Sequence, residues 1–154
     1  MKSDNLLRHL AIPFGIALVV YVISYTWIEH RRTYKGPWEV TFTNDASGAP
    51  TLVINQPSLA ITNLQITFPG ELARTNATLS FRQPQPVPYD LPYGKCVFMD
   101  TTFLPGTIVI DLFGHEIQLI PRVLTIDKTD ILWASGKTIT VTGTNVVESA
   151  QPGK

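Results

Sequence analysis

From Leu10 to Ile28 this chain carries nineteen consecutive residues without a charged side chain. At ~1.5 Å of rise per residue, a helix of that length measures about 28 Å, close to the thickness of a bilayer's hydrocarbon core. A cleaved signal peptide has a shorter apolar region followed by small residues at a cleavage site. Here the run closes on Tyr25-Thr26-Trp27, so the segment is expected to remain as an anchor. Neither end shows the polar stripe of an amphipathic core helix. The remainder of a 154-residue chain is then enough for one small soluble domain.

The flanks refine this picture. Trp27, with Tyr25 just inside it and Tyr34 and Trp38 just beyond, fits an aromatic belt at one membrane face. Lys2 and Arg8 precede the span, while Arg31, Arg32 and Lys35 follow it beside Glu29, so the basic bias nearly balances. By analogy with other uncleaved N-terminal anchors, the N-terminus is expected in the cytoplasm and the following domain in the periplasm. Pro13 has no N–H and its ring clashes with the carbonyl four residues back, so the helix should start near Leu10 or bend. Ala11 and Gly15 lie one turn apart on one face, a small-residue pair that lets a second helix approach closely.

Charge excludes one class of partner. The formal net charge is zero, but residues 36–154 hold seven Lys/Arg against ten Asp/Glu. An acidic soluble domain is a poor match to nucleic acid, which requires a basic face. Cys96 is the single cysteine, so no internal disulfide is available.

After Gly36-Pro37 the pattern turns to alternation. Trp38, Val40 and Phe42 share one side of a first strand, and Asp45 to Pro50 supplies turn residues. In LAITNLQITF the apolar residues move from odd positions (Leu59, Ile61) to even ones (Leu64, Ile66, Phe68), which predicts a bulge near Thr62-Asn63. TIVIDLFGHEIQLI, residues 107 to 120, predicts a hairpin turning at Gly114-His115 with Leu112 opposite Ile117. ILW and TITVTG, flanking Ala134 to Lys137, predict a last hairpin. Eight or so short strands and no amphipathic helical window after residue 35 point to an antiparallel β-sandwich, with a small closed barrel as the alternative. The expected organisation is a flank (1–9), a transmembrane helix (10–28), a linker (29–37), a β-sandwich (38–147) and an unstructured tail (148–154).

The residues offer little chemistry. There is no phosphate-binding glycine loop and no nucleophile elbow. His9, His30 and His115 have no metal-ligand spacing. His115 beside Glu116 is at most half of an acid–base pair, and Asp127 with Asp130 lacks the further oxygens that calcium requires. Asn76-Ala77-Thr78 matches the glycosylation sequon. Cys96 reads as a small buried hydrophobe. The proline-rich QPQPVPYDLPYG, residues 83 to 94, presents Val87, Tyr89, Leu91 and Tyr93 on an extended path. Those four side chains suit a partner surface, although a crossover packed on its own domain is the plainer reading.

The expected function is that of a non-catalytic, single-pass accessory subunit of a larger membrane complex, of the kind respiratory and photosynthetic assemblies carry. Its helix would pack among other subunits' helices and its β domain would lie on the outer surface. No cofactor, metal or small-molecule substrate is indicated. The alternative is a membrane-tethered ligand-binding or sensing domain of the cell envelope.

Overall fold

Pro13 does not set the start of the helix. In the computed structural model, which describes residues 4–143 and 145–150, one helix α1 runs from Asp4–Tyr34 and passes through Pro13 without ending. Both flanks assigned outside the span are therefore helical as well, from Asp4 on one side and to Tyr34 on the other. Its stretch His9–Arg31 is long and apolar enough to cross a membrane. The helix and the region from Lys35 onward form two separate units.

The second unit is a β-sandwich of two six-stranded sheets. In chain order its described strands are β1 (Glu39–Asn44), β2 (Pro50–Gln56), β3 (Ile61–Thr67), β4 (Ala77–Ser80), β5 (Tyr89–Leu91) and β6 (Gly94–Asp100). Then follow β7 (Thr107–Leu112), β8 (His115–Ile120), β9 (Val123–Ile126), β10 (Thr129–Ile131), β11 (Lys137–Thr142) and β12 (Asn145–Ala150). The first sheet has the order β12-β11-β3-β2-β1-β4, and the second β10-β9-β8-β7-β6-β5. Neither sheet closes on itself, so the barrel alternative falls. All pairings are antiparallel except β3 with β11, which run parallel with Gln65 opposite Thr138.

Alternation builds the core. Trp38, Val40 and Phe42 from the first sheet and Ile108, Ile110 and Leu112 from the second are fully buried in one apolar cluster. The parity change in β3 is a bulge: Ile54 faces Leu64 but Gln56 faces Ile61, and Asn63 takes a left-handed φ of 54°. The Asn55 side chain satisfies that kink by accepting from the Asn63 N–H at 2.7 Å.

Three expectations are corrected. The 107–120 hairpin turns at Phe113-Gly114, not Gly114-His115, so Leu112 faces His115 and Ile110 faces Ile117. A slip of two residues keeps every side chain on its face, which is why the buried set was right while the pairing was wrong. Both turn residues have positive φ, 54° and 82°, the signature of a type I′ turn. Second, ILW and TITVTG do not form a hairpin: β10 belongs to one sheet and β11 to the other, and residues 132–136 cross between them. Third, β12 pairs with β11 as far as Ala150 opposite Lys137, so the supposed tail is strand through residue 150, and 151–154 lie outside the described residues.

Candidate functional site

The residues singled out in the sequence fall in three places. Ala11 and Gly15 lie on the exposed surface of α1 and line a shallow apolar groove with Ile12, Ile16, Val19 and Val20. A Cβ built on Gly15 meets nothing within 4 Å, so the groove is open. Tyr25 and Trp27 are also exposed on the helix. The Arg31 guanidinium sits 4.2 Å from the Trp27 ring centre, a cation–π contact one turn apart, and Tyr21 stacks on Tyr25 at 6.3 Å. The side chain of Tyr34 lies outside the described residues.

Trp38 does not belong to a membrane belt. It is fully buried in the sandwich, its indole N–H donates to the Gly106 carbonyl at 3.0 Å, and its ring lies 5.1 Å from that of Trp133. Proximity to the span suggested the interface, whereas the alternation with Val40 and Phe42 correctly placed it inward. Close by, Gln56 is buried and its side-chain amide donates to the carbonyls of Gly36 (3.1 Å) and Pro37 (2.8 Å). Its own carbonyl accepts from the Ser58 N–H and hydroxyl. The chain is thus fixed to the domain from Gly36 onward.

Of the four side chains proposed as a partner surface, only Val87 is exposed, along with residues 83–86, 88, 90 and 92 around them. Leu91 and Tyr93 are core residues and Tyr89 is half-buried against the core, so the segment packs on its own domain from Tyr89 onward, while residues 83–88 are exposed. The Tyr93 hydroxyl donates to the Thr43 carbonyl at 2.5 Å, linking the two sheets, and its ring packs against Phe42 and Phe113. Burial pushes the Tyr93 phenol above its ordinary range, and burial followed by a hydrogen bond with Cys96 does the same to Tyr89. Burial likewise raises the Cys96 thiol, which donates weakly to the Phe98 carbonyl.

His115 pairs with a carboxylate, but not the neighbouring one. Its Nδ1 lies 2.5 Å from Asp127 Oδ2, and the other Asp127 oxygen accepts the Glu116 N–H at 2.9 Å. The carboxylate accepts, which puts the imidazole proton on Nδ1. This pair laces the β7–β8 turn to the β9–β10 turn, where Asp127 and Lys128 have φ of 48° and 67°. Asp130 instead accepts from Thr125, so the two aspartates once considered as a calcium pair serve separate contacts. Among the described residues, no cluster of three or more His, Cys, Asp or Glu side chains gathers. The His115–Asp127 contact was invisible locally because it depends on the register of two hairpins. What sequence also missed is a set of exposed apolar side chains on loops, Phe103 and Leu132 among them. No local alternation marks these, since both lie in loops outside the strands.

Compared with protein-family models, curated proteins and solved structures, the chain finds no match in any of the three.

Proposed function

We propose that this protein is a non-catalytic, single-pass subunit of a larger membrane complex, with α1 packed among other membrane helices and the sandwich displayed on the complex's outer surface. The observation that carries this reading is the open groove at Ala11 and Gly15 on a helix long and apolar enough to cross a membrane. In lipid, helices gain nothing by hiding apolar surface, so association rests on close packing, and small residues one turn apart permit it. The proposed topology places the N-terminus in the cytoplasm and the β domain outside, in the periplasm.

Gly15→Leu tests the packing role. The variant stays apolar and inserts normally, as alkaline extraction of membranes would show, while partners recovered with the wild type in mild detergent are lost. Full recovery of the same partners with Gly15→Leu would reduce the helix to an anchor and move attachment to the β domain. Protease added to intact spheroplasts should degrade the sandwich, and protection of the sandwich would reverse the topology.

A further inference from the structure

The two ends of the sandwich differ in chemistry, and the chain ties one of them to the membrane. Between Tyr34, where α1 ends, and Gly36, already held by Gln56, lies Lys35 alone. From Ile28 the chain climbs six helical residues and then two more, at most about 16 Å in all. The end of the sandwich that receives the linker is therefore confined to the neighbourhood of the headgroups, whatever its tilt.

That end is identified by contacts within the domain. Trp38 bonds to Gly106 and stacks on Trp133, and Trp133 donates to the Ile120 carbonyl at 2.8 Å. The loops 101–106 and 132–136 and the β8–β9 turn therefore all belong to the linker end. Two of these loops project large apolar side chains: Phe103 is 61% exposed and Leu132 77%. Lys35, Arg82 and Arg122 are exposed on the same end, Arg82 following Phe81, whose N–H donates to the Trp38 carbonyl. Among the acidic groups of this end Glu148 is paired with Lys137, and Glu39 and Asp100, the latter kept ionised by the Thr102 N–H, are set against those three cations. On the turns and strand ends of the far end Asp45, Glu71, Asp90, Asp111, Glu116 and Asp127 outnumber Arg74, Lys95 and Lys128.

We propose that the linker end of the sandwich rests on the bilayer, with Phe103 and Leu132 seated among the lipid headgroups and Lys35, Arg82 and Arg122 facing lipid phosphates. Apolar side chains flanked by cations are what an interfacial surface presents, since the first partition among the headgroups toward the acyl boundary and the second meet the lipid phosphates. An acidic far end is repelled from the same surface. The inference rests on α1 crossing a bilayer and is independent of whether the helix has protein partners.

Spin labels test it on the full chain in vesicles of phosphatidylcholine and phosphatidylglycerol. Single cysteines replace Phe103, Leu132, Val19 or Leu72, the last 97% exposed on the far end. Cys96 is fully buried, and its labelling is checked on the unsubstituted protein. Labels at 103 and 132 should be severalfold more accessible to oxygen, relative to an aqueous nickel chelate, than the label at 72. Values matching those at 72 would overturn the proposal, and with the Val19 label in the bilayer the anchor would still stand. Shielding of 103 and 132 from both reagents would also overturn it, because protein, a second copy or another chain, would then cover this end.

Discussion

At the scale of single residues, the side chains that close the sandwich also set its response to pH. Tyr93 donates a hydrogen bond between the sheets, and its phenol, like that of Tyr89 and the thiol of Cys96, stays neutral in the folded state above its ordinary range. A group whose folded pKa is raised contributes stability that is fully present below its unfolded pKa and is lost as pH rises above it. Tyr and Cys ionise in the unfolded chain from about pH 9 to 10, so the domain should lose stability progressively as pH rises past 9. Tyr93→Phe removes one of these groups. It should cost about 1 kcal/mol at pH 7 for the lost bond, and its melting temperature should fall less steeply than the wild type's between pH 9 and 11. Asp45 sets the acid side: hydrogen bonding from Ser47 first, opposed by a little burial and aided by the backbone of Ala49, Ser47 and Gly48, holds its carboxyl below 3.8. That contribution is present above the unfolded pKa and disappears as pH falls through the folded one. Asp45→Ala should therefore flatten the melting curve's pH dependence below about pH 4. Gly94 is fixed by space, since a Cβ there would lie 1.9 Å from the Asp111 carbonyl oxygen. Gly94→Ala must push β6 off β7 and should cost on the order of 1–3 kcal/mol in chemical denaturation.

At the scale of elements, the Phe113-Gly114 turn shows where local pattern and tertiary packing part company. A type I′ turn asks for Asn, Asp or Gly at both central positions, and a bulky residue at φ 54° is rare. Phe113 is held there by its rings' contacts: it stacks on Tyr93 at 5.4 Å and meets Phe68 at 5.3 Å. Two such contacts contribute about 1–3 kcal/mol together, against roughly 1–3 kcal/mol for the strained backbone, and burial of the ring tips the balance. Phe113→Asn should thus destabilise the domain although it suits the turn, and Gly114→Val should destabilise it more, since it adds strain with no new contact. Equal melting of wild type and Phe113→Asn would show that the rings contribute nothing net. This is why the faces of β7 and β8 were legible and their register was not: period-two alternation is local, whereas the reason for a left-handed Phe lies in Tyr93 and Phe68. The bulge at Thr62-Asn63 was legible for the opposite reason, because a parity change is written in consecutive residues. The crossing at 132–136 was hidden because a hairpin and a crossover between sheets share the same turn residues.

At the scale of the whole molecule, the core cluster of the described residues begins at Trp38 and lies within the second unit. Residues 36–154 expressed without the helix should therefore fold, unfolding cooperatively within about 5 °C of the full chain in detergent. A broad or absent transition would mean that the anchor contributes to the fold. The long apolar helix was legible from nineteen uncharged residues, but the ends of the sandwich were not, because which loops neighbour the linker depends on Trp38 reaching Gly106, 68 positions further along the chain. The parallel pairing of β3 with β11 gives the domain a timetable as well as a shape. The second sheet is a run of neighbours, β5 through β10, each of which can pair with the strand made just before it. β3 cannot be finished that way, since its outer edge waits for Thr138 to Thr140, which the ribosome delivers after that whole sheet. Until then a growing chain carries an open edge from Gln65 to Thr67 that any passing strand could extend. The last hairpin to be synthesised, β11 with β12, is the one that shuts it.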